Sequence, residues 1–80
     1  MRTFFVLCEG QAWMGGLSLA LHTACEQSGF IGKPAQILVA RPGEAMARVV
    51  AEAEDSSVRW IGGGRYVPIK ALKRQINKDA

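Results

Sequence analysis

Pro42-Gly43-Glu44-Ala45-Met46-Ala47-Arg48-Val49-Val50-Ala51-Glu52-Ala53 is the stretch on which the fold turns. Met46, Val49, Val50 and Ala53 stand at i, i+3, i+4 and i+7, the spacing of one helix face. Pro42 suits a first helical position, and Glu44 complements the positive end of a helix dipole. Arg48, Glu52 and Asp55 fall on the opposite face, and Asp55-Ser56-Ser57 breaks the pattern. The expectation is a one-sided helix lying on a sheet.

Upstream of this stretch, Ala35-Gln36-Ile37-Leu38-Val39-Ala40 follows a Gly32-Lys33-Pro34 turn and is a strong strand candidate. Thr3 to Cys8, with two Phe and a Val, reads as a second buried strand. Between them Trp13, Leu17, Leu21, Ala24 and Cys25 form an apolar stripe at helical spacing, ending at Gly29. Gly15 and Gly16 weaken the first turn of that helix by about 1 kcal/mol each, which either delays its start to Leu17 or serves close packing.

Downstream, Val58-Arg59-Trp60-Ile61 and Arg65-Tyr66-Val67 flank Gly62-Gly63-Gly64, which predicts a hairpin. Pro68 then closes the strand and opens a last helix, with Ile69, Leu72 and Ile76 as its narrow apolar stripe. The expected order is β-α-β-α-β-β-α, a small single-domain α/β sandwich with parallel neighbours and right-handed crossovers; α+β is the alternative.

Eighty residues make one small domain over 1–80, with no room for a second core. Hydrophobic residues at 49% and charged residues at 21% exclude disorder, collagen and coiled coil. Two cysteines cannot build a disulfide scaffold, so Cys8 and Cys25 are expected as reduced, mostly buried thiols of a cytoplasmic protein. Glu9 and Gln11 interrupt any signal-peptide core, and Ala12 to Leu21 is too short to span a bilayer. No membrane association is expected.

The net charge of +3 is unevenly spread. Residues 58–80 hold Arg59, Arg65, Lys70, Lys73, Arg74 and Lys78 against Asp79, a net of +5, while residues 1–57 hold four bases against six acids, a net of −2. A basic hairpin and helix, with Trp60 and Tyr66 interleaved, suits an acidic protein surface or the phosphates and bases of a nucleic acid. Trp, Tyr and Arg are also the residue types enriched at interface hot spots, which extends to Trp13 and Met14. The plainer alternative is a lysine-coated terminal helix above buried aromatics.

Catalytic patterns are weak. His22, Cys25 and Glu26 share a helix face, but a structural zinc site needs four ligands and only Cys8 could be added. Gly62-Gly63-Gly64 lacks the Gly-Lys-Ser/Thr of a phosphate loop. No metal, cofactor or catalytic residue is assigned, and no enzymatic activity is expected.

Three resemblances add to this reading. Gly63-Gly64-Arg65-Tyr66-Val67-Pro68-Ile69-Lys70-Ala71-Leu72 resembles the wing and closing helix of excisionase-type DNA-binding proteins, although no helix-turn-helix precedes it. The expected element order is similar to that of the thioredoxin fold, but Cys8-Glu9-Gly10-Gln11 lacks the second cysteine of the redox motif. Arg41-Pro42-Gly43 before an Ala-rich helix, then a strand, a glycine turn and a strand ending in Pro68-Ile69, resembles small phage-encoded inhibitors of host defence, the anti-CRISPR proteins. That last resemblance implies a stand-alone inhibitor or regulator of a host protein or nucleoprotein. The binding residues expected are Arg59, Arg65, Tyr66, Lys70, Lys73 and Arg74.

Overall fold

A computed structural model describes residues 2–77. The strands are β1 (Thr3–Cys8), β2 (Gln11–Gly15), β3 (Ala35–Ala40), β4 (Met46–Glu54), β5 (Ser57–Trp60) and β6 (Tyr66–Pro68); the helices are α1 (Leu17–Ile31) and α2 (Ile69–Asn77). The order is therefore β-β-α-β-β-β-β-α, an α+β chain in which every strand pairing is antiparallel. The sheet runs β2-β1-β3-β4-β5, with β6 also on β4. Among the described residues one strand–helix–strand unit remains, β2-α1-β3, whose two strands run parallel on either side of β1.

Three expectations give way. The helix expected over 42–53 is β4. Its register steps from Ile37 opposite Ala51 to Leu38 opposite Val49, so Val50 is the extra residue of a β-bulge. On one side of the bulge Ala47 and Val49 face α2; on the other Ala51 and Ala53 face α1. Two adjacent valines at a change of face mimic helical spacing, and that is the source of the misleading pattern.

The second is the start of the first helix. Trp13 lies in β2, reached from β1 by the two-residue turn Glu9-Gly10. Both turn residues have positive φ, 47° and 80°, the signature of the primed turn that matches strand twist. The helix itself begins at Leu17, after the two glycines, and ends two residues later than expected. Gly32 closes it in the left-handed region at φ 80°, donating its N–H to the Ser28 carbonyl at 2.8 Å.

The third is the hairpin. β5 and β6 do not pair with each other; both run antiparallel to β4 along the same edge. Gly62–Arg65 is an excursion between them, fastened where Ile61 donates its N–H to the Val50 carbonyl at 2.8 Å and Val49 donates to the Arg65 carbonyl at 2.9 Å. The bulge in β4 and the break in its partner strand thus lie side by side.

Alternation of side chains puts the two helices on opposite faces. Val6, Cys8, Ala35, Ile37, Ala51 and Ala53 pack under α1, which buries Ala20, Ala24 and Ser28 against them. The small side chains bring helix and sheet close. A Cβ at Gly29 would stand 2.8 Å from Asp55 Oδ1, and the Asp55 N–H donates to Ser28 Oγ at 3.0 Å, tying α1 to the β4–β5 turn. Phe5, Ala12, Leu38, Ala40, Ala47 and Val49 form the other core, closed by Leu72 with Ile69 and Ile76 of α2 as anticipated.

Because the bulge swaps faces, the coverage is diagonal. α1 covers the end of the sheet holding Ala35 and Ala53, and α2 covers the end holding Ala40 and Ala47. One quadrant of each face stays open.

Candidate binding surface

The open quadrant on the α1 side is lined by two adjoining cavities of about 350 and 280 Å³, which share Arg2, Val39 and Arg48 in their walls. Cross-strand register builds it. Tyr66 lies opposite Arg48, and Trp60 lies opposite Ala51 on the same face. Trp60 is 61% exposed and Tyr66 55%, so neither aromatic is core. Phe4, Val50 and Ile61 supply an apolar floor, and Arg41 and Glu44 stand at the far end. Glu44 Oε1 accepts the Arg41 backbone N–H at 2.6 Å, an N-cap-like contact that occupies the carboxylate rather than the guanidinium.

Among the described residues no carboxylate pairs with Arg2, Arg41, Arg48 or Arg65. The result is an arginine-rimmed apolar trough carrying two accessible aromatic rings. Arg2, Arg41 and Arg48 were not expected here. They come from three separated positions of a segment whose summed charge is negative, before β1, after β3 and within β4, and only the pairing of β4 with β6 reveals that Arg48 flanks Tyr66.

The six expected binding residues do not form one patch. Tyr66 belongs to the trough. Arg65 is exposed on the glycine excursion beside it. Arg59 points to the opposite sheet face, where Nη2 lies 3.3 Å from Glu52 Oε1. Lys70, Lys73 and Arg74 are exposed on the outer side of α2, opposite its apolar stripe. Arg74 complements the helix dipole, whereas Lys70 stands in the first turn, which contains no acid, and opposes it. Lys70 and Arg74 also repel each other at i, i+4, at a cost of roughly 0.2–0.5 kcal/mol. Lys78 and Asp79 lie outside the described residues.

The open quadrant on the α2 side is a cavity of about 520 Å³ walled by Glu9, Gln36, Glu52 and Gln75. The two openings therefore differ in lining: arginines around the trough, and Glu9 with the Arg59-paired Glu52 around the cavity beside α2.

Neither cysteine forms a disulfide. Cys8 is buried at the end of β1, its Sγ 3.7 Å from the carbonyls of Lys33 and Pro34. Burial, and secondarily the Glu9 carboxylate, raise its pKa above the ordinary thiol value. A thiol so placed is a poor nucleophile at neutral pH. Alkylation at pH 7.5 is expected to label half-buried Cys25 first and Cys8 only on unfolding; equal rates would show that this end of β1 opens in the native state. Since the native thiol holds its proton more tightly than the unfolded one, its contribution to stability is complete below the ordinary thiol range and falls as the pH rises above it.

His22 is exposed, its Nε2 3.4 Å from Glu26 Oε2 one turn along α1. Among the described residues no three His, Cys, Asp or Glu side chains converge as metal ligands. No helix among them is long and apolar enough to cross a membrane.

No known family matches this chain. Neither does any curated protein or solved structure.

Proposed function

We propose that the chain is a non-catalytic binding module, a small inhibitor or regulator that acts by occupying the surface of a protein partner. The observation that carries this reading is the pair Trp60 and Tyr66, more than half exposed on one sheet face beside Arg48. Aromatic and arginine side chains are the usual anchors of interfaces, because they combine large contact area with fixed polar geometry. The cations Lys70, Lys73 and Arg74, with Lys70 set against the helix dipole and within repelling reach of Arg74, supply a field that draws in a partner of acidic character. A steric blocker needs no more than this.

The trough favours one second reading. Rings that stack on bases and arginines that meet phosphates also make a single-stranded nucleic acid platform. Titration with 12-nucleotide DNA and RNA at increasing salt separates the two. Submicromolar binding with a steep negative salt slope, lost in Trp60→Ala, establishes the nucleic acid reading.

For a protein partner, proteins retained from the cognate cell extract by the wild-type chain are expected to be lost with Trp60→Ala/Arg48→Glu. Each truncated anchor should cost about 2 kcal/mol or more, roughly 30-fold in affinity. Charge reversal at Lys70, Lys73 and Arg74 should chiefly slow association and leave folding intact. Undiminished retention by both variants would overturn the proposal.

A further inference from the structure

We propose that two copies of this chain pair through the free edge of β2, continuing the sheet across a two-fold axis. β2 is the outermost strand, bonded only to β1, so alternate backbone N–H and C=O groups along Gln11–Gly15 face outward. Exposed edges of this kind are ordinarily blunted by charge, proline or a bulge. β2 has none of these: no Asp, Glu, Lys, Arg or Pro occurs between Gly10 and Cys25. The opposite edge has all the usual protection, with Arg59, the Gly62–Arg65 break and Pro68.

Apolar side chains flank the β2 edge on both faces. Trp13 and Leu19 stand on the α1 side and Met14 with Ile76 on the α2 side, around a cavity of about 450 Å³. Met14 is 51% exposed and Leu19 57%. An added strand would satisfy the backbone and bury these side chains together.

Charge singles out a second copy as the occupant. A two-fold axis sets every residue near it against its own duplicate, so like charges near the axis repel. The arginine trough and the basic face of α2 cannot meet themselves on those terms. The β2 edge, uncharged over its whole length, can. It is also self-complementary, since antiparallel addition about Trp13 places each apolar flank against its equivalent. The dimer leaves the trough free, and its formation does not depend on the binding reading above.

The test is sedimentation of the intact chain from 1 to 300 µM, with amide hydrogen exchange at both limits. The wild type is expected to shift from 8.7 kDa towards twice that mass, with protection gained over Gln11–Gly15. Met14→Lys/Leu19→Lys should remain monomeric with an unchanged circular dichroism spectrum; if that pair unfolds, Leu19→Lys alone serves. Arg48→Glu/Trp60→Ala should dimerise like the wild type. A monomeric wild type at 300 µM overturns the proposal. So does a dimer that survives the lysines, or one that forms without protection of β2.

Discussion

Deletion of Val50 is expected to leave the domain folded, with a cooperative thermal transition. Val50 is the single residue by which β4 exceeds its partner at the bulge. Without it, Val49 and Ala51 become neighbours, and unbroken alternation keeps Ala47 and Val49 on one face and Ala51 and Ala53 on the other. Both registers against β3 survive, Val49 opposite Leu38 and Ala51 opposite Ile37. What is lost is the Val50 side chain from the floor of the trough and the hydrogen bond that its carbonyl accepts from Ile61. The substitution Val50→Ala keeps the residue count and should cost only about 1 kcal/mol. Scanning calorimetry of both variants decides the matter. A deletion variant without a cooperative transition would show that the bulge itself, and not the register on either side of it, holds the two faces.

Leu72→Ala is expected to lower the melting temperature by at least about 10 °C, since a large-to-small core change costs roughly 2–5 kcal/mol and each kcal/mol shifts a domain of this size by about 4–8 °C. Leu72 is 1% exposed and, among the described residues of α2, the only fully buried one. A nine-residue helix is too short to persist alone in water, so its order derives from this contact and from Ile69 and Ile76. The loss is large beside the roughly 4–12 kcal/mol that about 0.05–0.15 kcal/mol per residue gives an 80-residue chain. Lys73→Ala, one residue along on the outer surface, should change stability by no more than about 0.5 kcal/mol. Urea denaturation of the pair checks both. Equal midpoints would mean that α2 is dispensable to the core.

The elements legible in the sequence are those with unmixed signals. β1 and β3 are continuous apolar runs bounded by turns, and α2 combines a proline start with a clean stripe of Ile69, Leu72 and Ile76. β2 and β4 were hidden for separate physical reasons. The turn before β2 is Glu9-Gly10, not one of the Asn-Gly or Asp-Gly pairs that announce a primed turn. Trp13 also falls in phase with Leu17 and Leu21, so β2 carries the spacing of the helix that follows it.

In β4, alanines at 45, 47, 51 and 53 carry helical propensity, and the buried period of two over Ala47, Val49, Ala51 and Ala53 is masked by exposed Met46 and by Val50 at the bulge, which complete a helical spacing. Tertiary pairing with β3 on one side and with β5 and β6 on the other overrides that local preference. The candidate site inherits the same obscurity. Trp60 and Tyr66 are legible as hot-spot types, but a helical reading of β4 supplies no register that sets Arg48 beside Tyr66. Adding charge by contiguous segment also hides Arg2, Arg41 and Arg48, because each lies in a segment that is acidic on balance.

The Gly62–Arg65 excursion leaves the domain with a place where its length can be edited. Backbone bonds at Ile61 and Arg65 fix both strand segments to β4, independently of the residues between them. A loop whose ends are so anchored loses little when extended, since each doubling of its length costs only about 0.6 kcal/mol in closure entropy. An inserted peptide, tag or fluorophore beside Gly63 would therefore sit on the rim of the trough and leave strand register untouched. Nature and the engineer have the same opening there: new residues next to Trp60 and Tyr66, added without renegotiating the fold.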